Sequence, residues 1–272
     1  MNKKVQCKKE YSVLVLFFLT LVYINTAQAA PRVSSDGVWT ILETLPPLAP
    51  GKEVWIQPTQ YTAVSLNRIT LQSIFAQAPI EFSRDPGQLI NIPMPDGRFQ
   101  SFRILETFVM APELAAQFPD IKTYVGQSDD GSTIRLDSTP VGFHAQIFSP
   151  QKGWIYIDPH WKNDPKIYVS YFKIDYTPSR KTFSCRFQSP LIPTPPSGPT
   201  VLLNGTPLST GDTLRKYRLA IAAQGEYTAI HGGTISGALA AMVTTVNRVT
   251  GIYELEHLTI ENASLEDLYS MT

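Results

Sequence analysis

Residues 132–172 read STIRLDSTPVGFHAQIFSPQKGWIYIDPHWKNDPKIYVSYF, and the fold turns on this stretch. Ile134 and Leu136, then Phe143, Ala145 and Ile147, alternate with polar neighbours, the period of a strand with one face buried. KGWIYIDP, with Trp154 and Tyr156, and KIYVSYFKIDY at 166–176 continue in aromatic and β-branched residues. DDGS, SPQKG and KNDP stand between these runs as turns, so the stretch predicts short antiparallel strands. Upstream, MPDGRF at 94–99 is another turn, flanked by LINIP and FQSFRILETFVM. Two helical pieces interrupt the pattern. SLNRITLQSIFAQA carries Leu66, Ile69, Leu71, Ile74 and Phe75 in a mixed spacing, and APELAAQF at 111–118 places Pro112 near a helix start. Residues 30–187 therefore read as one β-rich antiparallel domain.

The composition agrees. Of 272 residues, 43% are hydrophobic and 11% aromatic, which suits a packed core. Twenty-two prolines favour strands, turns and linkers over a helical bundle. Lys plus Arg equals Asp plus Glu at 23 each, so charge balance predicts no nucleic-acid surface.

The N-terminus reads as a targeting segment. Lys3, Lys4, Lys8 and Lys9 precede the apolar run VLVLFFLTLVYI at 13–24, which is short for a membrane span. Ala27-Gln28-Ala29 follows as a cleavage site, so residues 1–29 are expected to leave as a signal peptide, with Ala30 beginning the mature chain. An uncleaved anchor is the competing reading. Cleavage predicts a secreted or periplasmic protein, free of the membrane. It also removes Cys7 and leaves Cys185, in RKTFSCRF, as the remaining cysteine.

Residues 188–213 hold six prolines from Pro190 to Pro207 among Ser, Thr and Gly, and read as a linker. Residues 214–272 change character. Tyr217–Ala223 predicts a strand, its run Leu219-Ala220-Ile221-Ala222-Ala223 apolar enough for burial on both faces. HGGT at 231–234 is a turn, and a helix is expected from about Ser236, with that serine as N-cap. LTIEN at 258–262 predicts a second strand. This is the β-α-β opening of an α/β domain, and one helix with two strands is too little to close a core.

LRKYRLAIAAQGEYTAIHGGTISGALAAMVTTVNRVTGIYE, from Leu214, resembles the start of the catalytic domain of secreted bacterial metalloendopeptidases of the reprolysin (adamalysin) type, in the metzincin clan. IPMPDGRFQSFRILETFVMAPELAAQFPDIKTYVGQ and STIRLDSTPVGFHAQIFSP are similar to that family's propeptide. The resemblance implies a zymogen of α+β class: a β-rich antiparallel prodomain followed by the truncated β-α-β start of a metzincin-type catalytic domain. It implies zinc as cofactor, held by an H-E-x-x-H-x-x-G-x-x-H motif whose Glu is the general base. It also implies a protein or peptide substrate for the complete enzyme, and prodomain–protease contact in cis or in trans. The four histidines, His144, His160, His231 and His257, include no pair spaced i and i+4, and no H-E-x-x-H occurs. The zinc site is thus absent from this chain, no catalytic residue is assigned, and the chain alone is expected to lack peptidase activity.

The resemblance points to Cys185 as a metal ligand, a latch on the open position of zinc. Arg180, Lys181 and Arg186 beside it would favour the thiolate. A buried structural thiol and an intermolecular disulfide are the other readings. His144 is expected to be a strand residue with a satisfied ring. Asp158 and His160 in DPHW read as turn chemistry, His231 as a loop residue, and Glu254, Glu256, Glu261, Glu266 and Asp267 as a solvated acidic end. Two functions follow: a zymogen portion of a zinc metalloendopeptidase, or a non-enzymatic exported β-rich inhibitor or binding module.

Overall fold

The computed structural model describes residues 32–48, 50–162, 164–177 and 219–255. Nine strands form one antiparallel sheet: β1 (Trp39–Ile41), β2 (Thr62–Leu66), β3 (Gln88–Pro93), β4 (Phe99–Thr107), β5 (Lys122–Gln127), β6 (Thr133–Thr139), β7 (Gly142–Ser149), β8 (Gly153–Pro159) and β9 (Ile167–Phe172). From β3 to β9 each strand pairs with the next in sequence, and β2 and then β1 are added beyond β9. The sheet curls until its two edges, β1 and β3, meet. Asp36, just before β1, accepts the backbone N–H of Asn91 in β3 at 2.7 Å. The Asn91 amide donates to Ser35 at 2.9 Å, and Arg32 donates to the Gly97 carbonyl. The result is a nearly closed barrel whose seam is held by side chains.

Alternation fixes the inside. Ile134 and Leu136 of β6 lie opposite Ile147 and Ala145 of β7, and all four are buried in one core. Trp39 meets Phe143 and Tyr168 edge-on at centroid distances of 5.2 and 5.7 Å. Helix α1 (Arg68–Phe75) adds Leu71, Ile74 and Phe75 to the same core, and Phe75 stacks on Tyr124 at 4.1 Å. Asn67 caps α1 by accepting from the Thr70 N–H at 3.3 Å. The mixed spacing noted in the sequence has two causes. Leu66 closes β2 and does not belong to the helix, and Ile69 faces outward, 82% exposed.

Helix α2 (Pro112–Gln117) follows β4 with Pro at its start, as its sequence predicts. Helices α3 (Gly225–Ile230) and α4 (Ile235–Leu255) come from the segment beyond the linker. Helix α4 lies across the outer face of β6 and β7. Its Leu239, Ala240, Val243 and Val246 pack with Val109, Met110, Leu114 and Ile121 in a second apolar cluster outside the barrel.

The β-rich antiparallel part of the expected fold class is present; the β-α-β opening is not seen among the described residues. Residues 219–223 join no sheet among the described residues, and Ala220, Ala222 and Ala223 are exposed. Leu219 and Ile221 instead pack, half-buried, against the α4 cluster, so the run is covered on one side by a helix and not on both by strands. Residues 225–230 form α3, a short helix between the expected strand and the turn at 231–234, and the predicted strand at 258–262 lies outside the described residues. No helix among the described residues is long and apolar enough to cross a membrane.

Candidate functional site

The outward residues of β6 to β9 are unusually polar for a covered face. Arg135, Asp137, His144, Gln146 and Asp158 are all buried. They are buried because α4 lies over them, and α4 presents matching groups. Thr244 donates to Asp137 at 2.8 Å, and Asn247 donates to the Leu136 carbonyl of β6 at 3.1 Å. Arg135 reaches up to Asn247 at 3.3 Å and makes a two-pronged contact with Glu254, its Nε donating at 3.0 Å. Arg248 pairs with Asp158 at 2.6 Å. Gly251 permits the close approach, since a Cβ there would lie 3.0 Å from Gln146 Oε1 and 3.3 Å from the Arg135 side chain.

Asp158 is the most completely held of these groups. Its Oδ1 takes Arg248 and its Oδ2 takes the Tyr171 hydroxyl at 2.7 Å. Burial works against its charge, but Arg248, His144 and the Tyr171 hydrogen bond prevail and hold the carboxyl below the usual range. The same carboxylate, added to burial, pushes the Tyr171 hydroxyl well up. The Arg248 guanidinium also lies over the Tyr156 ring, 5.2 Å from its centroid.

Beside the helix seat is a cavity of about 360 Å³ between α3, α4, the loop at Trp55 and the outer ends of β8 and β9. His144 lines it, with Nδ1 bound to Asp137 at 3.0 Å. His231, at the end of α3, lies against Tyr227 and Trp55 at centroid distances of 4.4 and 5.9 Å. Burial, Lys162 and His144 all depress the pKa of His231. Lys162 sits over the Trp55 ring at 5.4 Å.

His144 therefore is the strand residue that the alternation predicts, with its Nδ1 bound to Asp137. Asp158 is not turn chemistry: it lies within β8, one residue before its end, and pairs with Arg248. His160 is buried with its Nδ1 on the Ile56 carbonyl at 2.8 Å, and burial lowers its pKa. Glu254 leaves the acidic end to pair with Arg135, because α4 turns that side of the helix toward the sheet. Cys185, Ala29, Ala30, His257 and the other acidic residues of the end lie outside the described residues. The sequence reading passed over Arg135, Asp137 and Arg248. The one signal for them was charge on the outward positions of strands opposite charge on one face of the 236–255 helix.

Among the described residues, no group of three His, Cys, Asp or Glu side chains is placed to hold a metal ion. The donor set that zinc would need is not found there. Comparison with protein-family models, with curated proteins and with solved structures finds no match for this chain.

Proposed function

We propose that this chain is the precursor portion of an exported zinc metalloendopeptidase, in which the barrel is a propeptide that seats and silences the segment after the linker. One observation carries the reading. A helix from beyond residues 178–218 returns to the barrel and is received by buried, complementary polar groups, with Arg248 on Asp158 and Glu254 on Arg135. Such groups cost desolvation and contribute little beyond an apolar contact, but they discriminate strongly against a wrong partner or a wrong register. That suits a surface that must recognise one helix. The resemblance of the two halves to a propeptide and to the start of a reprolysin-type domain agrees with it. Within that reading Cys185 is the proposed latch, zinc the cofactor of the complete enzyme, and secretion or the periplasm its place.

The second reading, an exported non-enzymatic inhibitor or binding module, draws on a different fact. The barrel core and the α4 cluster are separate, so the barrel owes little of its interior to the helix.

The test is to place a specific protease site within residues 190–207 of the full chain and cut it. The proposal expects both fragments to elute together. Adding the cut protein to a reprolysin-type peptidase then separates the readings. Inhibition lost in Cys185→Ala supports the latch, and equal inhibition by both proteins sinks it. Fragments that separate on cutting would overturn the seating role.

A further inference from the structure

Helix α4 covers only part of the outer sheet face. It lies over β6 and β7 as far as Arg135, and beside its last turns a groove of about 550 Å³ opens across β4 to β8. The strand register lays out the floor. Leu105 and Val125 stand opposite each other in a row that continues to Arg135; Arg103 opens the next row, and Phe148 and Trp154 close it. The four apolar side chains are half-buried, and the two rings meet at a centroid distance of 5.1 Å. An apolar strip rimmed by polar groups is the form that docking sites take.

Three features select the occupant. The first is position. Gly251 and Glu254, in the last turns of α4, form one wall of the groove, so the chain that follows Leu255 starts at its edge. The second is reach. Seventeen residues of the sequence follow Leu255. Strand β4 lies two strand spacings from β6, about 10 Å, and an extended residue spans about 3.3 Å. Residues 256–261 are therefore long enough to arrive at Arg103. The third is chemistry. EHLTIE at 256–261 offers Leu258 and Ile260 to an apolar floor and Glu261 to a cation, and the sequence after Leu255 contains no Lys or Arg. Arg103 is exposed with no ion-pair partner among the described residues, whereas Arg135 is already held by Glu254. The other acid of the groove, Asp129, is exposed on the turn between β5 and β6.

We infer that this groove seats residues 256–261 of the same chain, with Leu258 and Ile260 over Leu105 and Val125 and Glu261 paired with Arg103. Attachment to α4 keeps the segment at a high effective concentration, which a foreign peptide would have to match in solution. The inference does not depend on the precursor reading.

The experiment traps the contact in the full-length chain carrying Cys7→Ser and Cys185→Ser. Val125→Cys with Ile260→Cys is compared with Ile69→Cys with Ile260→Cys, because Ile69 is 82% exposed on α1, away from the groove. Oxidation of dilute protein is followed by mass spectrometry, which separates a bridge within one chain from a bridge between two. The 125–260 bridge is expected to form within one chain at least about tenfold faster than the 69–260 bridge. Arg103→Glu is expected to slow it about two- to fivefold, and Glu261→Lys added to that variant to restore the rate. Circular dichroism checks that each variant keeps the fold. Equal rates for the two pairs, or a rate that folded Arg103→Glu leaves unchanged, would overturn the inference. Bridges that join two chains would overturn it as well, and would assign the groove to a second copy.

Discussion

Consider Asp158→Asn. The side chain keeps its shape and still accepts from Tyr171, but the charge facing Arg248 is gone. Asp158 is 4% exposed, and the Arg248 side chain 25%. Removing one member of a fully buried pair costs roughly 3–5 kcal/mol, because the other charge is left uncompensated. Water reaches part of Arg248, so the expected loss is smaller, about 2–3 kcal/mol. In a chain of this size that lowers Tm by roughly 4–12 °C. Urea denaturation followed by circular dichroism and tryptophan fluorescence measures it. Because Arg248 belongs to α4, undocking of the helix should precede loss of the barrel. Amide exchange should therefore rise at Val243 and Val246 before it rises at Ile134 and Leu136. Arg248→Met removes the orphaned charge, so the double variant should be more stable than the two single losses predict by about 1.5 kcal/mol or more. A loss below about 0.5 kcal/mol in Asp158→Asn, or strict additivity in the cycle, would refute the claim that this pair seats the helix.

Three further outcomes follow from the same geometry. The folded-state pKa of Asp158 is depressed, so its contribution is complete above the ordinary carboxylate range and disappears as pH falls through the folded value; acid titration of stability should show this limb in the wild type and a smaller one in Asp158→Asn. Gly251→Leu must push into Gln146 and Arg135 and should cost about 1–3 kcal/mol despite the better helix propensity of Leu, read by thermal melting. Phe82 is 94% exposed with a φ of 66°, so Phe82→Gly should stabilise the chain by about 0.5–1 kcal/mol, and a loss of stability would show that the ring contributes more than its exposure suggests.

The barrel wall was legible wherever alternation ran for several residues. β6, β7, β8 and β9 stand where Ile134, Leu136, Phe143, Ile147 and their neighbours place them. β1 spans only Trp39–Ile41, too short for a period to register, and β2 ends at a leucine that the following helical spacing could claim. The site was less legible for a physical reason. Alternation assigns Arg135, Asp137 and Asp158 to the outer face, and the outer face of a lone antiparallel sheet is wet. Their burial depends on α4, which lies about a hundred positions away in sequence and arrives by tertiary contact alone. The 219–223 run failed for the converse reason: its composition fits a strand buried on both faces, but only Leu219 and Ile221 are covered, by the α4 cluster, and no strand among the described residues pairs with it.

The seam at Asp36 has a consequence for self-association. A sheet normally carries two rows of free backbone groups at its edges, and these recruit strands from other molecules. Here the rims of β1 and β3 are turned toward one another and tied through Asp36, Ser35 and Arg32. Fibril-like growth would first require that clasp to open. One aspartate at the lip of the barrel holds that clasp, and its neutralisation should be felt in the concentration at which the protein begins to aggregate before it is felt in the melting temperature.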